Sequence, residues 1–321
     1  MAATHYHDVR CKSALNRVSG MPFKWSLNPY RGCVHACHYC YAREMHTYLG
    51  LDAEGDFERQ IFIKGNIASV LDRELSRPGW RGESVAIGTA TDAYQPAEKR
   101  FRLTRACIET LGRHGNPFSV VTKSSLIVRD LDLLLAARER ADIRIYFTVT
   151  TVDPELAERI EPGAFPPAIR LRALDTLASA GITCGVMMAP VMPGINDSQA
   201  SIDAVARSAA DAGASSFWAG PLRLAPPVRN HFYGFLQQEF PELLTWYLKH
   251  LDGQHLPRLD QELIAHRAER ARSRFGLDES TRRGTPEPAP SPVLQLQQLS
   301  FPLSDDPAPI ELPLRYDPLS A

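Results

Sequence analysis

The chain has 321 residues, 44% hydrophobic and 23% charged, with a formal net charge of −1. That is a globular composition with room for one large domain or two modest ones, and the near-zero charge excludes whole-molecule attraction to nucleic acid or an anionic membrane. No apolar run approaches the ~20 residues that span a bilayer, and the N-terminus "MAATHYHDVRCKSALNR" lacks the apolar core of a secretory signal, so the cytoplasm is the expected compartment.

Residues 1–20 read as an N-terminal extension. "WSLNPY" (25–30) is the first strand candidate, followed by helical patterns over 38–48 and 66–77. "SVAIGTA" (84–90) precedes a helix over 98–114, and "FSVVTKS" (118–124) a helix over 129–139. "IRIYFTVTT" (143–151) leads into helices over 154–160 and 168–180. "TCGVMMAPV" (183–191) is followed by a helix over 197–212, capped by Asn196 or Asp197, and "SSFWAGPL" (215–222) is the sixth strand. These runs are mostly apolar without alternation, as parallel strands buried on both faces are. Six βα units imply an α/β fold, either an open partial barrel or a doubly wound sheet. Helices then occupy 226–278, and 279–321 is a proline-rich tail without sustained period, expected to be largely disordered.

"RGCVHACHYCYARE" (31–44) carries Cys33, Cys37 and Cys40 in the spacing C-x3-C-x2-C. In a reducing compartment such a cluster reads as metal-binding or catalytic. Zinc wants four ligands, and His35, His38, His5 or His7 allows a Cys3His site to be drawn. No second ligand pair stands at zinc spacing, and Cys11, Cys107 and Cys184 are isolated. A [4Fe–4S] cube takes four thiolates, so three leave one iron open to a small molecule. The loop follows the C-terminal end of the first strand, where cofactors bind in barrels and open α/β sheets. The basic runs Lys99, Arg100, Arg102, Arg105 and Arg267, Arg270, Arg272, Arg274 read as solvated helix faces, with nucleic-acid contact the weaker alternative.

The motif, with Tyr39 just before its last cysteine, resembles the signature of the radical S-adenosylmethionine (SAM) superfamily. "NPYRGCVHACHYCYARE", "TDAYQPAEKR", "VVTKSS", "IEPGA" and "APVMPGIND", spread over roughly 20–225, resemble the subgroup related to spore photoproduct lyase, the DNA repair photolyase type. The resemblance implies a partial (β/α)6 TIM-like barrel over 21–225. It also implies a [4Fe–4S] cluster on Cys33, Cys37 and Cys40, with SAM chelated at the open iron. A reductase, flavodoxin or ferredoxin would supply an electron, and cleavage of SAM would yield a 5′-deoxyadenosyl radical for hydrogen abstraction from a substrate that the sequence does not name.

Carried residue by residue, the resemblance places Tyr39 near adenine and Lys123 on the SAM carboxylate. Thr89, Thr91, Asp92 and Glu98 would lie near the SAM amino group, with Asp92 alternatively a helix N-cap. Thr148 or Thr150 would meet the ribose, and Glu161 and Arg170 would form a structural ion pair. The strand over 185–194 would pass under adenine, with Met187 and Met188 read as core. Ala93 departs from the subgroup's Thr-Asp-Pro-Tyr. The hydrogen-donating cysteine of spore photoproduct lyase falls on Thr89, counted back from Asp92. The nearest replacement donors in sequence are Tyr94 and Cys184.

Overall fold

Each of the six apolar runs forms a strand in the computed structural model, which describes residues 4–278 apart from 22 and 252. In chain order the strands are β1 (His5–Val9), β2 (Leu15–Arg17), β3 (Trp25–Leu27), β4 (Tyr30–Arg31), β5 (Gln60–Lys64), β6 (Val85–Ile87), β7 (Phe118–Thr122), β8 (Ile143–Thr148), β9 (Cys184–Val191) and β10 (Ser216–Pro221). The main sheet runs β10-β9-β8-β7-β6-β3-β2, parallel throughout except for β2, which pairs antiparallel with β3. Six successive parallel strands with intervening helices make a partial TIM-like barrel, and all six end on the same side.

Register explains which residues share a face. Thr122 pairs with Phe147, Phe147 with Val186, and Val186 with Phe217, so one buried row crosses four strands. One residue further on, Thr148, Met187 and Trp218 form a row on the opposite face. Trp218 remains 48% exposed because β10 is the free edge of the sheet.

Several sequence expectations are corrected. The segment read as an extension supplies β1 and β2, and β1 joins β5 and β4 in a second, three-stranded sheet. The polar "HYHDV" hides this strand because it pairs on one side only. "WSLNPY" divides between the two sheets, as β3 and the start of β4. The helix expected over 98–114 breaks at Arg102, whose φ is 52°, into Ala97–Phe101 and Leu103–Arg113. The buried Glu98 carboxylate causes the break by accepting the Thr104 and Arg105 N–H groups at 2.9 and 3.1 Å, as a cap does. Ser198, not Asn196 or Asp197, caps the helix Gln199–Asp211. Asn196 instead donates to the carbonyls of Thr150 and Pro190 and accepts the Met192 N–H, bracing the ends of β8 and β9. Helices Pro226–Glu239, Pro241–His250 and Arg258–Phe275 follow β10. The tail expected over 279–321 lies outside the described residues.

Candidate functional site

The cysteine loop leaves β4 through Gly32, at φ +78°, where a Cβ would stand 2.8 Å from the Phe57 carbonyl. The Gly32 carbonyl takes hydrogen bonds from Thr91 Oγ1 at 2.6 Å and Gln95 Nε2 at 2.9 Å. Further along, Cys33 N–H donates to the Phe57 carbonyl, His38 N–H to the Ile160 carbonyl, and Gly163 N–H to the His35 carbonyl. Ala36 takes the left-handed conformation, at φ 54°.

Arg43 is fully buried and spends all five of its donors on this loop and its neighbour. It donates to the carbonyls of Cys37, Ala36, Ala53 and Glu54, and to Glu58 Oε2 at 2.9 Å. The loop is thus held from inside, with Cys33 and Cys37 buried and Cys40 partly so. Burial pushes the Cys33 thiol well above its ordinary range and the Cys37 thiol up to about 12, although Lys123 pulls Cys37 back. Such thiols are inert as free nucleophiles, whereas bound iron would deprotonate them.

Tyr39 is buried, and its phenol donates to Glu161 Oε1. Thr150 Oγ1 donates to the same oxygen at 2.8 Å, and Arg170 pairs with Oε2. Arg170 also donates to the carbonyls of Phe165 and Thr148. The expected Glu161–Arg170 ion pair is therefore present, and it orients Tyr39. Burial raises the Glu161 pKa, but Arg170 and Lys123 outweigh that and hold it below the usual carboxylate range. Lys123 follows β7, with Nζ 5.5 Å from the Tyr39 ring centroid. Burial lowers its pKa, but Cys37 and Glu161 outweigh that and hold it above its ordinary value.

Asp92 is buried and accepts from Thr122 Oγ1 and from the N–H groups of Tyr94 and Lys123, all at 2.7–2.8 Å. His35 Nδ1 stands 3.3 Å from its Oδ2. Burial disfavours the charged carboxylate, but His35 and these donors hold its pKa at about 2. Asp92 thus ties β6 to β7 and to the cysteine loop, and it caps no helix. Thr89 lies beside them, accepting from Asn28 Nδ2 on its hydroxyl at 3.3 Å and from Tyr41 on its carbonyl.

Three candidates sit elsewhere. Glu98 binds Tyr30, Arg129 and the helix start described above. Tyr94 is buried with its hydroxyl 3.1 Å from Asp130, itself paired with Arg105 and Arg129. Cys184 is the first residue of β9, so it lies at the end of the barrel opposite to the cysteine loop. Sequence reading missed Arg43, Gln95 and the orientation of His35. Their only signal was a polar residue next to the motif, which solvent-exposed residues share.

The zinc reading fits less well. Two of its candidate fourth ligands are engaged, His38 with His231 at 3.2 Å and stacked on Phe235, and His7 with Gln60, whereas His35 faces Asp92 with its Nε2 unpartnered. Among the described residues no three His, Cys, Asp or Glu side chains gather tightly enough to grip one ion. A cube spreads its thiolates over three irons, so three soft donors on one short loop suit it. The His35 ring beside them is buried with neither nitrogen hydrogen-bonded, and its Nε2, which faces no charged partner, points to a further group at the same place.

Residues 27–204 match the Radical SAM superfamily. This chain belongs to the radical SAM superfamily. Among the relatives of this radical SAM protein, the uncharacterized protein Rv2578c of Mycobacterium tuberculosis is 38% identical over 286 residues, 88% of this chain and 84% of the relative. ORF301 of Acidianus two-tailed virus is 27% identical, over 74% of this chain and 76% of its own. The structure of spore photoproduct lyase complexed with dinucleoside spore photoproduct superposes with a TM-score of 0.64 at 17% identity, covering 84% of this chain and 79% of that one. A variant of that lyase with bound AdoMet and dinucleoside spore photoproduct gives 0.63 at 17% identity, over 84% and 78%. These likenesses establish the radical SAM fold.

Proposed function

We propose that Cys33, Cys37 and Cys40 each ligate one iron of a [4Fe–4S] cluster, that SAM binds its fourth iron, and that the protein is an enzyme abstracting hydrogen from a substrate. When bound and reduced, that pair supplies the electron and the 5′-deoxyadenosyl radical chemistry. The chain's own residues bind and orient. Lys123 stands as a cation at a strand end, suited to pair with the SAM carboxylate. Tyr39, fixed by Glu161 and Arg170, offers a rigid aromatic face near adenine. The Thr150 hydroxyl is committed to Glu161, which leaves Thr148 for the ribose. Burial of Cys33 and Cys37 keeps water from the reacting centre. A reductase, flavodoxin or ferredoxin would deliver the electron from outside.

The observation that carries this reading is the meeting of three free thiols and the Lys123 ammonium at one barrel end. Anaerobic reconstitution tests the cluster. Wild type is expected to turn brown and hold about four irons and four sulfides per chain. Cys37→Ala should lose most of that iron, while Cys11→Ala, Cys107→Ala and Cys184→Ala keep it. A colourless protein holding one zinc overturns the reading.

A further inference from the structure

One side chain expected near the SAM amino group is Asp92, yet most of its acceptor sites are already taken. A carboxylate offers about four lone-pair sites. Tyr94 N–H and Thr122 Oγ1 take those of Oδ1 and Lys123 N–H one of Oδ2, which His35 Nδ1 faces at 3.3 Å. Thr91 beside it already donates to the Gly32 carbonyl and accepts from Gln95. His35 is 2% exposed, and neither of its ring nitrogens has a hydrogen-bond partner, Nδ1 facing Asp92 and Nε2 facing no charged group. A buried nitrogen without a partner costs free energy comparable to a lost hydrogen bond, so its retention points to a ligand group. Its place is fixed. The His35 carbonyl receives Gly163 N–H at 3.0 Å, and the residue stands between Cys33 and Cys37. Nδ1 is the nitrogen nearest the Asp92 carboxylate, and the neutral tautomer with its proton there leaves Nε2 as an acceptor for an N–H donor.

We propose that His35, held by Asp92, accepts a hydrogen bond from the amino group of bound SAM through Nε2. Asp92 then acts through His35 rather than touching the ligand, as a positioning residue. The assignment rests on the proposed cluster and SAM site and names one residue within it.

The test compares wild type, His35→Ala and His35→Gln after anaerobic reconstitution, with iron and sulfide counted first. Equilibrium dissociation constants are then measured for SAM and for 5′-methylthioadenosine, which lacks the amino group. The expected result is full cluster in all three proteins. SAM affinity should fall about tenfold in His35→Ala, as loss of one hydrogen bond to a buried group predicts, and recover largely in His35→Gln, whose amide oxygen is an acceptor. Affinity for 5′-methylthioadenosine should be unchanged. The SAM-induced change in the electron paramagnetic resonance spectrum of the reduced cluster should weaken in His35→Ala and return in His35→Gln. Equal SAM affinity in wild type and His35→Ala overturns the assignment. So does an equal loss for both ligands, or loss of iron in both variants, which makes His35 a purely structural part of the loop. A wild-type protein that loads the cluster but binds no SAM sinks the SAM site itself, a different failure.

Discussion

At the scale of single residues, the site is built from side chains that are heavily hydrogen-bonded, the His35 ring apart. Ala36 is the exception on the backbone, since an L-residue at φ 54° costs about 1–2 kcal/mol. Ala36→Gly is therefore expected to stabilise the cluster-free protein by about 1 kcal/mol, read by urea unfolding. A lower midpoint would show that the loop needs Cβ contacts there. Asp92 carries a pH dependence. Its folded pKa of about 2 lies below the unfolded carboxylate value, so its contribution is complete above that unfolded value and is lost as pH falls towards 2. That contribution is about 2 kcal/mol. Asp92→Asn should be less stable at neutral pH and show a flatter acid limb over that window. An unchanged acid limb would mean that the carboxylate is not held in this way.

At the scale of elements, the cysteine loop is a backbone clamp as much as a motif. The turn after helix Pro154–Ile160 presses on it so closely that a Cβ on Gly163 would stand 2.1 Å from the Val34 carbonyl. Gly163→Ala should cost about 1–3 kcal/mol of stability by overpacking and lower iron loading per chain. Full loading with unchanged stability would show that the contact gives way freely. The six parallel strands were legible because each is a short apolar run between helical patterns. β1 and β2 were not, because they are largely polar and partnered through one edge, where burial leaves little pattern, and the five-residue β5, though paired on both edges, stands between no clear helical patterns. Arg102 shows the same limit: a helical period runs through it, and the break comes from Glu98, a tertiary contact. In the site, the thiols, Lys123 and Tyr39 could be read from motif and strand end. Arg43 and the approach of His35 to Asp92 could not, since only the folded loop buries them.

At the scale of the molecule, four of the eight basic side chains in the two runs are held in ion pairs, while Lys99, Arg100, Arg102 and Arg270 are exposed. Arg105 pairs with Asp130 and Asp132, Arg267 with Asp197, Arg272 with Glu269, and Arg274 with Asp203. Likeness to spore photoproduct lyase at 17% identity is likeness of fold and carries no substrate. Thr89 stands where the lyase-type donor cysteine is expected, and a hydroxyl O–H is a poor hydrogen-atom donor to a carbon radical. Of the substitutes, Cys184 opens β9 at the far end of the barrel, and Tyr94 is turned to Asp130. Reduced, cluster-loaded protein incubated with the dinucleoside photoproduct should release no restored thymine product by chromatography. Multiple-turnover repair would reverse this conclusion. The central claim, that this barrel end cleaves SAM reductively, is tested most directly by quantifying 5′-deoxyadenosine after anaerobic incubation of reconstituted protein with SAM and dithionite. The account predicts 5′-deoxyadenosine from wild type, depending on reductant and abolished in Cys37→Ala. No 5′-deoxyadenosine from fully cluster-loaded wild type, or an equal amount from Cys37→Ala, would contradict it.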